Sequence, residues 1–550
     1  MGETVGGRLI KVASPLDACA EGADSTQLFK DLTNQFFIGD NVALTQNLGW
    51  TDAWTSRASE YAVAAETSAD VAAAVTFARA HRLRLVVKGG GHSYLGGSNA
   101  PDSLLIWTRR MNAIQLHDSF VPHGCEGKIA PESAVSVGAG AIWLDAYEAV
   151  TTRAGRYVQG GGCTTVGVAG LVQGGGFGSF SKGYGTGAAN LLEAEVVTAD
   201  GQVRVANAWT NPDLFWAIRG GGGGTFGVVT RLTLRTHDLP ATFGSVTAKI
   251  LSSSDAAYRA LVDEVLSFYR ASLMNAHWGE QITFQWPRQI GVDMVFQGLS
   301  QAEATETWRP LFDWIRARPA DYTLAQPSIF ALPAKAFWDP KVLSLVPGVI
   351  KADDRPGAAP GRFGWAGDAA QSGQVLHAYQ STWLSQRLLE PDRRAQLVDA
   401  LAHAAASWSV SLHFNKGLAG ASALALKRSG ETSTNPAVLD AFALAITGAG
   451  EGAAYPGIAG HEPQIEAGRR EATRVRAAMA PLLALPAQPA SYVSETDYFE
   501  ADWQQAFWGD HYPRLRRIKD RYDPSGLFTV HHGVGSEAWS DDGFTPARRA

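Results

Sequence analysis

Two glycine loops, each carrying one nucleophilic side chain, constrain this chain more than any other feature. The first is Lys88-Gly89-Gly90-Gly91-His92-Ser93-Tyr94-Leu95-Gly96-Gly97. The second is Val158-Gln159-Gly160-Gly161-Gly162-Cys163-Thr164-Thr165-Val166-Gly167, continuing to Gly174-Gly175-Gly176-Phe177-Gly178. Clustered glycines make a poor core, but they let backbone N–H groups close on a ligand. An imidazole in one loop and a sulfur in the other suggest a single planar cofactor gripped from two sides. Either loop alone would be a weak signal.

The sequence around the loops reads as helices and strands that deliver them. Thr67, Ser68 and Asp70 offer caps for a helix over 71–80, where Val71, Val75 and Ala78 recur at helical spacing. A short buried strand over 83–87 then feeds the first loop. Strands are expected at 103–107 and 134–141, a helix at 142–152, and a surface loop at 118–131. The strand over 191–201 ends on Asp200-Gly201, a hairpin signal, with 202–205 as its return. Asn211-Pro212 opens a capped helix, and Gly220 to Gly224 lead into Phe226-Gly227-Val228-Val229. Past Leu239-Pro240 the character changes. Residues 282–286 and 292–297 alternate as half-buried strands, 300–318 and 391–407 are amphipathic helices, and 356–367 is a loop rich in Gly, Pro and Ala.

A chain of 550 residues exceeds what one hydrophobic core serves, so two or more domains are expected. Its net charge of −6, without a basic block, argues against a nucleic-acid partner. No apolar run reaches the length of about 18 residues that a membrane span needs. Residues 1–20 lack a basic head followed by an apolar stretch, so no secretory signal is read. The compartment stays open: secreted or periplasmic if a leader has been removed, cytoplasmic otherwise.

The His92 and Cys163 loops resemble those of the FAD-linked oxidases of the berberine bridge enzyme type, in the vanillyl-alcohol oxidase and PCMH-type superfamily. The resemblance runs through roughly 50–235 and again from about 490 to 535. It implies an α+β fold: a two-part PCMH-type FAD-binding domain built from both chain ends, 1–239 (PCMH-type part about 54–238) and 491–550. An antiparallel-sheet-plus-helices substrate domain is inserted at 240–490. It also implies FAD bonded covalently to His92 at the 8α-methyl and to Cys163 at C6, the latter needing a thiolate. Gly89, Gly90, Gly91, Gly96 and Gly97 are then candidates for the diphosphate, with Ser93, Ser98, Gly138, Gly140, Gly162, Thr165, Gly167, Gly174, Gly175, Gly178 and Val228 as further cofactor contacts. A dinucleotide fingerprint starting at Gly174 is rejected, because Ser179 stands where its last glycine belongs and Glu193 and Glu195 open a strand instead of ending one. With Cys163 committed to flavin, Cys19 and Cys125 remain as a candidate disulfide pair or as two free thiols.

The same resemblance places Tyr94 on the substrate side and Val166 where oxygen reaches the flavin; a small residue there resembles the oxidases. Relatives carry Tyr-x-Asn-Tyr-x-Asp before the last helix, whereas this chain has Tyr492-Val493-Ser494-Glu495-Thr496-Asp497. Glu495, desolvated beside the flavin with its pKa raised, is the candidate general base, with Tyr492 beside it. Val530-His531-His532-Gly533 replaces an Asn-Gln-Ser-Ile ending, so His531 and His532 are candidate acid and base partners. On an extended segment their side chains would point opposite ways, which argues against a shared metal ion, and no metal site is expected. His413, Asn415 and Lys416 are candidates for the substrate face. The expected function is a bicovalent FAD oxidase, monomeric, that removes hydride from an alcohol, hemiacetal, amine or phenol and passes electrons to oxygen. A flavin dehydrogenase, an oxidative-cyclising enzyme and a flavin-holding binding protein are the alternatives.

Overall fold

The computed structural model describes Gly2, Val5 and residues 8–20, 25–485 and 488–540. The helix ahead of the first loop spans Ser68–His81. Its start is a capping box, in which Thr67 Oγ1 accepts from Asp70 N while the Asp70 carboxylate accepts from Thr67 N. Its end is Arg82 in the left-handed region, after which Arg84–Lys88 runs straight into the glycines. That strand lies at the edge of a four-stranded sheet ordered Leu9–Lys11, Tyr61–Ala64, Ser103–Trp107, Arg84–Lys88, parallel except for its first pair.

The second loop is held by an antiparallel sheet ordered Val203–Asn207, Leu191–Val197, Val228–Asp238, Glu132–Gly138, Ile114–Phe120, with Arg156–Val158 pairing the far end of Val228–Asp238. The expected hairpin at Asp200-Gly201 joins its first two strands. Short helices, Val168–Gln173 and Pro212–Ala217 among them, pack on this sheet together with the C-terminal helix Tyr512–Tyr522. Both ends of the chain thus contribute to one apolar core.

A nine-stranded sheet forms the third layer: Tyr322–Pro333, Thr242–Ser252, Gln289–Gln297, Trp278–Gln285, Val410–His413, Ala441–Ala453, Gln374–Ser385, Asn47–Trp50, Trp54–Thr55. The period-two pattern explains its two faces. Ile290, Val292, Met294 and Phe296 alternate into a core covered by helices Asp255–Phe268, Gln301–Arg316, Pro391–Ser407 and Ile465–Leu483. Intervening side chains such as Gln281 and His413, paired across neighbouring strands, belong to the opposite face.

Several local expectations need correcting. Residues 47–55 supply the last two strands of the nine-stranded sheet. The loop expected at 118–131 begins as strand Ile114–Phe120, and the one at 356–367 contains Phe363–Trp365, paired with Ile350–Ala352. Asn211 makes no cap bond; its amide turns back to Val205 O, and Pro212 alone starts the helix. Cys19 and Cys125 are not bonded to each other. All three cysteines are free; Cys125 is fully buried with its sulfur near His123 O and Asn207 Oδ1, while Cys19 packs in a separate apolar cluster with Leu32 and Ile38. No helix among the described residues is long and apolar enough to cross a membrane.

Candidate active site

The two glycine loops meet backbone to backbone. A Cβ added at Gly90 would stand 2.6 Å from Gly167 N and 3.1 Å from Thr165 O, so no side chain fits between them. The first loop is clamped from the N-terminal strands. Gln46 N donates to Gly91 O (3.0 Å), Asn47 Nδ2 to Ser93 O (3.3 Å) and Trp54 Nε1 to Tyr94 O (3.1 Å). The second is pinned just before its cysteine, by Tyr147 OH on Gly161 O (2.8 Å) and Trp365 Nε1 on Gly162 O (2.9 Å).

This packing brings His92 and Cys163 to a common neighbour. His92 Nε2 lies 3.0 Å, and the Cys163 sulfur 3.8 Å, from Thr165 Oγ1. The network is self-consistent with one imidazole tautomer. Gln35 Nε2 donates to Asp368 O (2.6 Å), so Gln35 Oε1 is the acceptor facing Thr165. The Thr165 hydroxyl donates to it at 3.3 Å, and its oxygen is left to accept from His92 Nε2–H. That arrangement corresponds to the tautomer with the proton on Nε2 and the unshared pair on Nδ1.

His92, Tyr94, Cys163, Val166, Glu280, Asp368, His413, Lys416 and Glu495 each keep part of their surface accessible. Protein surrounds them on the other sides, and the desolvation shows in their titration. Burial lowers His92 to about 4, which leaves a neutral imidazole at neutral pH. Burial, followed by the nearby Asp368 carboxylate, pushes the Cys163 thiol up to about 12, so the loop does not supply the expected thiolate. Burial and then Lys416 drive His413 well below its ordinary value.

Glu495 is not the isolated desolvated acid expected from the sequence. Its Oε2 is 2.5 Å from Lys416 Nζ, an ion pair with both side chains mostly covered. Trp383 Nε1 fixes the Lys416 carbonyl (2.7 Å), and Ser381 Oγ donates to the Glu495 carbonyl, so strand Gln374–Ser385 positions both partners. Tyr94 stands 5.2 Å, ring centre to ring centre, from Tyr379 on the same strand. Burial first, then the Glu495 charge, raises both phenols. Tyr492 meets the ring of Phe177 edge-on at 4.9 Å, and an added Cβ at Gly174 would stand 2.4 Å from Ser494 Oγ.

Sequence reasoning missed three groups here. Glu280 lies in strand Trp278–Gln285, at a position whose neighbours Trp278, Ile282 and Phe284 all face the helix-covered core. A φ of 68° turns it away from that core; Ser179 Oγ donates to its Oε1 and Asn415 Nδ2 lies 3.4 Å off. A carboxylate at an inward position of an apolar strand was the available signal. Burial raises its pKa, as it raises that of Asp368. Asp368 and Gln35 carry no such mark, one lying in a Gly- and Ala-rich turn and the other in an aperiodic segment.

The other candidate residues have close protein neighbours. An added Cβ would strike backbone at Gly138 (Met111 O, 2.1 Å), Gly140 (Thr108 O, 2.0 Å) and Gly178 (Gly160 O, 2.0 Å), and at Gly175 it would meet the Thr434 side chain (3.1 Å). These glycines allow chain segments to approach one another. Val228 points into the core beneath Val71 and Leu85. His531 and His532 do not diverge: His532 takes φ 52°, and the two rings stack at 3.8 Å. His531 lies on Tyr498 (3.7 Å) with Nε2 at Tyr498 O, and His532 lies on Trp503 (5.3 Å), so they join the aromatic scaffold of the C-terminal segment. Ser93 Oγ accepts from Gly97 N (3.0 Å) within the first loop, Gly96 backs onto the Trp54 ring, and Ser98 follows.

Comparison with known proteins adds to this geometry. Residues 59–207 match the family model described as an FAD binding domain, and 491–535 match one described as berberine and berberine like. The FAD-linked oxidoreductase easE of Arthroderma otae is 33% identical over 496 residues, 88% of this chain and 74% of that protein. A VAO-type flavoprotein of Myceliophthora thermophila C1 shares the fold with TM-score 0.76 at 24% identity, over 98% of this chain and 94% of that one. Glucooligosaccharide oxidase of Acremonium strictum, described with a 6-S-cysteinyl, 8α-N1-histidyl FAD, does so with TM-score 0.68 at 18% identity, over 95% and 99%.

Proposed function

Because the chain belongs to the FAD-linked oxidoreductases with a berberine-like C-terminal segment, we propose that it is an oxidase whose FAD is bonded to both His92 and Cys163. The observation that carries the reading is the convergence of an imidazole and a thiol on one hydroxyl, Thr165, in two loops packed without room for a side chain. The residues fit the cofactor. His92 presents a neutral ring with its unshared pair on Nδ1, which suits a bond to an electrophilic carbon. A Cβ at Gly162 would meet nothing within 4 Å, so the space beside Cys163 is open. The glucooligosaccharide oxidase, with its histidyl and cysteinyl linkages, supports the same pairing here.

When bound, FAD supplies a hydride acceptor whose reduced form gives its two electrons to oxygen as hydrogen peroxide. The chain's own residues do the rest. Glu495 accepts the proton of a substrate O–H or N–H, and Lys416 holds that carboxylate in place and balances its charge. Tyr94, Tyr379 and Tyr492 wall the substrate and exclude water. His413 and Asn415 border it from the sheet, with His413 neutral and so able both to donate and to accept. Val166 keeps the oxygen approach clear, since one more methylene there would narrow it. We read 1–239 and 491–550 as the flavin-holding part and 240–490 as the part that roofs the substrate, with residues 47–55 crossing from the first to the second. The substrate class spans alcohols, hemiacetals, amines and phenols.

The test begins with denatured, washed protein, which should stay yellow and yield flavin-bearing peptides at both residues. A substrate screen read by peroxide release follows, then stopped-flow reoxidation. Slow return of the oxidised absorbance in air-saturated buffer would assign a dehydrogenase instead.

A further inference from the structure

We infer that the Asp368 carboxylate takes the proton from the Cys163 thiol as that sulfur bonds to the flavin ring, making Asp368 a catalytic residue of cofactor attachment. The inference rests on the doubly tethered reading above.

The need for a base comes from the loop itself. A thiol held near a pKa of about 12 is ionised in about one molecule in 10⁵ at pH 7, too few for an unassisted sulfur nucleophile. Thr165, the nearest polar neighbour by distance, cannot serve. A neutral hydroxyl is too weak a base to hold the proton of a thiol, and this one already bonds His92 and Gln35. His92 faces Thr165 with a protonated nitrogen, and Lys416 is engaged by Glu495. The Trp365–Gly162 and Gln35–Asp368 bonds bring the turn that carries Asp368 against the cysteine loop, where the carboxylate acts on the thiol through its charge.

Asp368 is also held where it is needed. It lies in the turn Ala366–Gln371, directly after Trp365, whose indole bonds the carbonyl of the residue before the cysteine. Gln35 binds the Asp368 carbonyl, and Gln371 Nε2 donates to Oδ1 at 3.4 Å. Desolvation raises the proton affinity of this carboxylate, which improves it as an acceptor.

The step balances. The S–H bond breaks and its proton goes to Asp368. A C–S bond forms at the ring carbon, whose own hydrogen leaves as a proton, and two electrons enter the ring. Dioxygen then takes those two electrons and two protons as hydrogen peroxide, returning the ring to its oxidised state.

The test compares Asp368→Asn, Asp368→Ser and Asp368→Glu with the wild type, each purified in air and analysed by peptide mass for flavin at His92 and at Cys163. Flavin on His92 serves as the internal sign of a folded site. Both variants lacking the carboxylate are expected to keep the His92 linkage while the Cys163 linkage falls to a tenth of wild type or less, and Asp368→Glu should recover most of it. If Asp368→Asn or Asp368→Ser carries the wild-type share of sulfur-linked flavin, the role of Asp368 is overturned and the doubly tethered reading stands. Wild-type protein without flavin on Cys163 overturns both.

Discussion

Replacing Gly90 by alanine tests the packing that brings the two loops together. The added methyl carbon would stand 2.6 Å from Gly167 N, 3.1 Å from Thr165 O and 3.2 Å from Gly167 Cα, all backbone atoms with no rotamer to yield. Relief to the 3.4 Å at which ordinary contact begins means the loops part by about 0.8 Å. The His92–Thr165 hydrogen bond, now 3.0 Å, then lengthens to about 3.8 Å, beyond a bond's reach. Overpacking costs about 1–3 kcal/mol and the lost bond about 1 kcal/mol more, together about 2–4 kcal/mol. The expected outcome is a melting temperature lowered by several degrees, with covalent flavin on His92 reduced to a minor fraction. Gly170→Ala is the control. It lies in helix Val168–Gln173 with nothing within 4 Å of an added Cβ, so it should be neutral or stabilise by about 0.5–1 kcal/mol. Calorimetry and peptide mass read both variants. A Gly90→Ala protein with wild-type melting and wild-type flavin occupancy would refute the argument that backbone contact between the loops sets the tether geometry.

Gln35→Leu removes the acceptor for the Thr165 hydroxyl and so frees the His92 tautomer; the histidyl linkage should form several-fold more slowly, read by mass during reconstitution with FAD. Glu495→Gln should lower kcat by about 10²–10⁴ with little change in KM, as expected on losing a general base; an unchanged kcat would move that role to Glu280. Val166→Leu should slow reoxidation by oxygen about tenfold or more while leaving reduction by substrate near wild type, in stopped-flow traces of the two half-reactions. A pH dependence follows from His237, which burial lowers to about 3 while its Nε2 faces Asn190 Oδ1 at 2.8 Å. An imidazole kept neutral in the fold binds fewer protons than the unfolded chain between about pH 6.5 and 3. Its contribution is therefore complete above pH 6.5 and is lost as pH falls toward 3, by about 1–2 kcal/mol between pH 7 and pH 5. His237→Gln should flatten that part of the melting temperature profile.

The cofactor loops were legible because their signal is local. A triple glycine before His92 and another before Cys163 restrict what the backbone there can do, whatever surrounds it. The elements beside them followed from equally local rules: the Thr67 and Asp70 capping box, the Asp200-Gly201 turn, and the alternation from Ile290 to Phe296. Where the reading went astray, the missing information was spatial. His531 and His532 were assigned opposite directions from the geometry of an extended chain, and one left-handed residue stacked them instead. The count of cysteines left Cys19 and Cys125 open as a pair or as two free thiols, and the structure leaves both free, Cys19 in an apolar cluster with Leu32 and Ile38 and Cys125 buried near Asn207.

By itself the sequence determined that two nucleophilic side chains sit in glycine loops of an FAD-linked oxidoreductase. Tertiary structure alone decided which groups surround those nucleophiles. Gln35, Asp368 and Lys416 come from three separate stretches of chain, and each bears on Thr165, Cys163 or Glu495 across a short gap in space. The physical reason is range. Backbone restriction and periodicity act between neighbours along the chain, while desolvation, ion pairing and tautomer choice depend on which segments are close in space, and no spacing in the sequence records that.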